Sequence, residues 1–127
     1  MQKFATMSLH DQVDEIAPDG AEIRLLSRIH GGSVCHCTLA AGVTSRAVRH
    51  KSVEEIWYFL NGEGEIWRRL SGHESIAAVR PGVCLTLPPG THFQFRNTGT
   101  GPLSFLCVTI PPWPGKKEAV RVKDYWV

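Results

Sequence analysis

Short hydrophobic stretches, each bounded by turn-forming residues, recur along the chain. They are rich in Ile, Val, Leu, Phe, Trp and Thr, and they lie at roughly 22–29, 33–40, 54–60, 64–70, 75–79, 83–87, 92–96 and 103–110. Gly, Pro and Asn residues separate them, and none of them shows a sustained helical period. This pattern predicts an all-β sandwich or barrel over about residues 20–110, with no helix of structural importance.

The alternation of side chains within a strand indicates which residues share a face of the sheet. In the segment 33–40, Cys35, Cys37 and Leu39 share one face, whereas His36 lies on the other. The first face is the more apolar, and we expect it to point into the core. His36 is therefore predicted to lie away from the core and is given no catalytic role.

Composition narrows the classes of protein. The 127 residues with a formal charge of +2 fit one domain, residues 1–127, and do not favour binding to nucleic acid or an anionic membrane. No apolar run approaches the roughly 20 residues of a membrane-spanning helix, and the first 20 residues do not resemble a secretory signal. The four cysteines form no CxxC pair, so we expect reduced core thiols and a cytoplasmic location.

The segment 111–127 combines three prolines with Trp113, Tyr125 and Trp126. These large side chains are expected to pack on the barrel or on a second subunit. Jelly-roll sheets also have edge strands that need covering. We therefore predict a homodimer, in which residues 1–20 and this tail are plausible covers supplied by a partner.

A spaced pattern runs from Gly42 to Gly62. Five residues separate Gly42 from Val48, His50 follows two positions later, Glu55 comes after four more residues, and Gly62 after a further six. This resembles the first motif of the cupin superfamily, in which a glycine is followed by His-x-His, a glutamate and a second glycine at the same spacing. The first histidine position is occupied here by Val48.

A second pattern spans residues 82–97. Gly, Pro, Gly and Asn stand at the spacing of the second cupin motif, but the histidine position is occupied by Phe93, and His92 lies one residue early. The two motifs together cover residues 42–97. The resemblance implies a small single-domain cupin of the RmlC-like kind, which is an antiparallel jelly-roll barrel or double-stranded β-helix.

In cupins the motif residues hold a divalent metal, and the resemblance implies Fe, Mn, Ni, Zn or Cu, or no metal if the site has been lost. The implied ligands are His50 and Glu55, with His92 as the third candidate. Strict alternation points His92 outward. A bulge after Gly90 would turn it inward and create a two-histidine, one-carboxylate site.

Other residues are candidates for a small-molecule pocket. Arg46 lies four residues before His50 on the same predicted face, and it either clamps an anionic ligand or remains a solvated surface arginine. Apolar walls are expected from four aromatic residues, Trp57, Phe59, Phe93 and Phe95. The resemblance to cupins therefore implies a metal-dependent oxygenase or isomerase-type enzyme acting on a small organic molecule. The alternative is a metal-free or vestigial cupin that binds or senses a small molecule.

Overall fold

The computed structural model describes residues 3–127 and contains eleven strands in that range. They are β1 (Glu15–Ile16), β2 (Glu22–Ile29), β3 (Gly32–Leu39), β4 (Val48–His50), β5 (Glu54–Asn61), β6 (Gly64–Leu70), β7 (His73–Val79), β8 (Cys84–Leu87), β9 (His92–Asn97), β10 (Leu103–Ile110) and β11 (Ala119–Arg121). The only helical element of these residues is one 3₁₀ turn, Lys116–Glu118. The all-β prediction is confirmed, and the eight predicted segments correspond to β2, β3 and β5–β10.

The strands form two antiparallel sheets that enclose one core. The six-stranded sheet has the order β1-β2-β3-β10-β5-β8, and the five-stranded sheet has the order β11-β4-β9-β6-β7. Both sheets supply the largest fully buried apolar side chains, which are Phe59, Phe93, Phe95, Phe105, Leu39, Ile66, Leu87 and Leu103. Burial of each such side chain contributes about 1.5–3 kcal/mol, which makes this layer the main source of stability.

Strict alternation in β5 explains how the barrel acquires an inner and an outer surface. Glu55, Trp57 and Phe59 are buried, whereas the neighbouring Ile56 and Tyr58 are exposed. The inner set includes a carboxylate among aromatic rings, which is costly unless the carboxylate is hydrogen-bonded. This strand therefore places one candidate site residue inside the barrel.

The first motif ends at Gly62 because of a tight backbone approach. Its φ is +86°, and a Cβ atom there would lie 2.5 Å from the Pro102 carbonyl oxygen. Any side chain would force the β5–β6 turn away from the start of β10. The motif glycine is therefore explained by packing of one turn against another.

The C-terminal tail packs on the outer face of the five-stranded sheet of its own chain. Gln94 is 1% exposed; its Nε2 donates to the carbonyl oxygens of Ser45 and Trp126, and its Oε1 accepts the backbone N–H groups of Tyr125 and Trp126. Tyr125 also stacks on Trp67 at 5.2 Å. Gln94 is buried even though it lies on the outer face, because the tail covers that face.

Glu118, in the 3₁₀ turn before β11, fixes the loop between β4 and β5. The buried carboxylate of Glu118 accepts the backbone N–H groups of Ser52 and Val53 and the Ser52 hydroxyl. Burial opposes the charged form, but these hydrogen bonds outweigh it and lower the pKa of Glu118. The loop that carries His50 at one end and Glu55 at the other is thereby fixed to residue 118.

Candidate functional site

A cavity of about 340 Å³ lies against the inner face of the six-stranded sheet. Strands β2, β3, β5 and β10 form its floor and sides, and β4 and the segment 113–119 complete its wall. Most of the lining is apolar, and it includes Val48, Trp57, Phe105 and Trp113. This volume is at the lower end of the range for small-molecule sites, so the occupant that it suits is a small organic molecule.

His50 and Glu55 meet at this cavity. His50 Nδ1 lies 3.8 Å from Glu55 Oε1, and both residues are less than 10% exposed. Glu55 Oε1 accepts the indole N–H of Trp57 at 3.0 Å, and Oε2 accepts the Thr109 hydroxyl at 2.7 Å. The His50 ring lies edge-on to Trp113 at 5.2 Å. Each of the two residues is thus held in place by neighbours, and both line the cavity.

The two positions where the cupin pattern expects imidazoles are neighbours in the barrel. Val48 on β4 pairs directly with Phe93 on β9, and both side chains are 1% exposed. An apolar contact therefore takes the place of two nitrogen donors. Within residues 3–127, no group of three or more His, Cys, Asp or Glu side chains is arranged to hold a metal ion. The donor set of His50 and Glu55 alone does not fit a three-ligand cupin metal centre.

The structure does not bring His92 to this pair. The strand β9 runs without a bulge, so alternation is kept and His92 lies on the outer face, where it pairs with Arg49 and Arg69. Its Nδ1 lies 3.3 Å from an Arg69 nitrogen. Partial burial and the two arginines lower the pKa of His92. The prediction of His92 as a third metal ligand is therefore corrected, and the outward alternative is the observed one.

Arg46 also lies outside the cavity, contrary to the predicted shared face with His50. Residues 45–47 precede β4 and are not in a strand, so alternation does not extend to Arg46, whose side chain is exposed. Among the four predicted aromatic walls, only Trp57 lines the cavity. The other three are core residues less than 2% exposed, namely Phe59, Phe93 and Phe95.

Asp19 is a site residue that the sequence pattern did not reveal. It lies in the turn between β1 and β2, faces the cavity, and accepts the backbone N–H of Ala21 at 3.0 Å. Burial, with a smaller contribution from Glu55, raises the pKa of Asp19 to about 7. Two basic side chains, Arg28 and Lys116, border the cavity but are exposed. In the described part of the chain, neither Asp19 nor Glu55 forms an ion pair with a lysine or an arginine.

Three cysteines also line the cavity. Cys35 and Cys37 on β3 have sulfur atoms 3.6 Å apart, and Cys107 on β10 pairs directly with Cys35. All four cysteines of the chain are free thiols, but Cys84 is exposed on β8 and is not the core residue that we expected. The apolar face predicted for the segment 33–40 is thus also the wall of a cavity. Alternation within one segment could not reveal this cluster, because Cys107 lies 70 residues further along the chain than Cys37.

Two facing antiparallel sheets around an internal cavity define a double-stranded β-helix, or jelly-roll, protein. The cupin domain family model matches residues 35–109. The chain therefore belongs to the cupin family. An uncharacterized protein of Methanocaldococcus jannaschii is 31% identical over 111 residues, which are 80% of this chain and 86% of that protein.

Solved structures share the fold at lower sequence identity. An uncharacterized protein of Klebsiella pneumoniae with a double-stranded β-helix domain superposes with a TM-score of 0.72 at 16% identity, over 96% of this chain and all of that one. The oxalate decarboxylase of Lactobacillus farciminis gives 0.69 at 18% identity, over 80% of this chain and 31% of the other. These likenesses show the fold alone. No helix within residues 3–127 is long and apolar enough to cross a membrane.

Proposed function

We propose that this cupin binds a small, largely apolar organic molecule carrying an amine, and that it does so without a metal. The observation that carries the proposal is the pair of carboxylates, Asp19 and Glu55, facing one cavity whose other walls are mainly apolar. Within residues 3–127, the Asp19 side chain has only the Ala21 amide as a hydrogen-bond donor. A ligand that brings an ammonium group would supply the missing cation.

The charge of the cavity argues against the anionic ligand that Arg46 suggested in the sequence. Arg46 is outside the cavity. The lining contains three acids, Glu15, Asp19 and Glu55, and its two basic side chains, Arg28 and Lys116, are exposed. An anionic ligand would place like charges in a partly desolvated space, where repulsion is strong. Hydrogen bonds to a charged group contribute about 1.5–3 kcal/mol, so an amine should bind about 10- to 100-fold more tightly than a neutral molecule of the same shape.

The test uses three probes with the same ring and different head groups, namely benzylamine, benzyl alcohol and benzoate. Calorimetric titration is carried out with EDTA present, at a pH above 7 where Asp19 is ionised. We expect benzylamine to bind most tightly and benzoate least. Benzoate binding as tight as that of benzylamine would contradict the proposal.

Two variants and one control locate the binding. Asp19→Asn and Glu55→Gln each remove one negative charge. Each should weaken the binding of benzylamine about tenfold or more and leave the affinity for benzyl alcohol nearly unchanged. Glu54→Gln is the matched control, because Glu54 adjoins Glu55 but points to solvent. Equal weakening in Glu54→Gln would mean that overall charge, and not the cavity, governs binding.

A second candidate is a metal-dependent enzyme acting on a small molecule, which is favoured by the convergence of His50 and Glu55 at 3.8 Å. Elemental analysis of the purified protein distinguishes the candidates. Near-stoichiometric Fe, Mn, Ni, Zn or Cu that is lost in His50→Ala and Glu55→Ala but kept in His92→Ala would favour the enzyme. Metal content that stays negligible, even after incubation with each ion, would favour the metal-free binding module.

A further inference from the structure

The cysteine cluster of the cavity comprises Cys35, Cys37 and Cys107, and neither the fold nor the proposed amine binding accounts for it. The side chains share the inner face of the six-stranded sheet and meet at the floor of the cavity. Cys37 and Cys107 are each 4% exposed, whereas Cys35 is only partly buried. Cys35 is therefore the most accessible thiol of the cluster.

The environment of Cys35 favours the reactive form of a thiol. Hydrogen bonds from the thiols of Cys107 and Cys37 lower the pKa of Cys35. Burial raises the pKa of Cys107, which keeps Cys107 protonated as a donor. Because the thiolate is the nucleophile in thiol chemistry, a partly exposed thiol with two thiol donors is a candidate for reaction.

We propose that Cys35 is a site of reversible modification by small disulfides that enter the cavity, and that Cys107 resolves the product. In the first step the Cys35 thiolate attacks one sulfur of the disulfide RSSR. A mixed disulfide between Cys35 and RS forms, and RS⁻ leaves. In the second step the Cys107 thiol gives its proton to the RS⁻ released in the first step, and its sulfur attacks the Cys35 sulfur. The Cys35–Cys107 disulfide forms and a second RS⁻ leaves, so two protein thiols are oxidised and RSSR is reduced to two thiols.

The sulfur atoms of Cys35 and Cys37 lie 3.6 Å apart, but the backbone geometry of the strands favours Cys107 over Cys37 as the resolving residue. Cys35 and Cys107 are directly paired across the antiparallel strands β3 and β10. Paired residues have Cα atoms about 4.5–5.5 Å apart, which is within the range for a disulfide. Cys35 and Cys37 are two residues apart on one strand, and their Cα atoms are therefore about 6.6 Å apart, near the upper limit of that range.

The experiment uses the full chain with Cys84→Ser, which removes the exposed thiol on the outer surface. The reduced protein is incubated with bis(2-hydroxyethyl) disulfide, a small uncharged probe, and analysed by intact mass and peptide mapping. We expect a species that lacks two hydrogens and contains Cys35 linked to Cys107. In the double variant Cys84→Ser, Cys107→Ser, the reaction should stop at the mixed disulfide on Cys35.

Addition of Cys35→Ser should leave Cys37 and Cys107 unmodified, and circular dichroism is used to confirm that this variant is folded. If it does not fold, Cys35→Ala replaces it. Protein that stays fully reduced, or that forms the Cys35–Cys37 disulfide, would overturn the proposal. The chemistry does not depend on amine binding, because the probe is uncharged. The two proposals fail separately, since this experiment measures disulfide formation and the benzylamine titration measures amine affinity.

Discussion

The Asp19 carboxyl lies in the cavity, and no lysine or arginine among residues 3–127 forms an ion pair with it. Its pKa of about 7 lies roughly 3 units above the ordinary value of 3.8. Between about pH 3.8 and pH 7, the folded protein therefore binds more protons at Asp19 than the unfolded chain does. The free energy of unfolding is therefore highest below about pH 3.8 with respect to this group, and it falls as the pH rises to about 7.

The Asp19→Asn variant should remove this pH dependence. Three units at about 1.36 kcal/mol each set a ceiling of about 4 kcal/mol, and we expect about 2 kcal/mol because Asp19 keeps some contact with solvent. Asparagine retains the oxygen that accepts the Ala21 amide. The variant should therefore match the native protein near pH 4 and be about 2 kcal/mol more stable above pH 7.

The assay is urea denaturation, followed by tryptophan fluorescence, at four pH values from 4.5 to 8.5. The difference between variant and native protein isolates Asp19 from the other titrating groups. Asp11→Asn, at an exposed position of the same segment, is the control and should give a small, pH-independent difference. A constant difference for Asp19→Asn across this range would refute the argument that its carboxyl is desolvated. If Asp19→Asn is more stable and also binds benzylamine more weakly, then Asp19 contributes to binding and lowers the stability of the native protein.

Three other predictions follow from the fold. Glu118→Gln should lower the free energy of unfolding by about 1–3 kcal/mol at pH 7, because an amide cannot accept the Ser52 and Val53 donors equally well. This loss should shrink as the pH falls below about 4.5, where the native carboxylate is protonated on unfolding. The exposed Glu63→Gln is the control. Gly62→Ala should be destabilising by more than 1 kcal/mol in the same denaturation assay, because Pro102 occupies the space of the new methyl group. The protein is expected to form a homodimer through the outer face that exposes Ile56 and Tyr58, so light scattering should give twice the chain mass. The double variant Ile56→Lys, Tyr58→Lys should give the monomer mass. A native monomer at micromolar concentration would refute this prediction.

The sequence predicted the fold well because alternation and turn residues act locally. The strands β2, β3 and β5–β10 were identified from their own residues, and the placement of His50 and Glu55 followed from motif spacing. The short strands β1, β4 and β11 were missed, because two or three residues carry no measurable period.

The cavity was harder to predict because it depends on residues distant in the sequence. Asp19 enters from a turn, and Cys107 joins Cys35 only through the pairing of β10 with β3. Arg46 shows the opposite error, since alternation was extended to a residue that is not in a strand. For His92, register decided between two open alternatives, and only the continuous pairing of β9 gave the answer.

The segment 113–119 serves several purposes at once, since it contributes Trp113 and Ala119 to the cavity wall and Glu118 to the loop beside His50. These residues follow the last core strand, and so they leave the ribosome after every strand of the barrel except β11. During synthesis the core strands can therefore assemble before the wall of the cavity is complete. A chain shortened before residue 113 would lose this part of the cavity wall together with the strand β11 and the cover over Gln94.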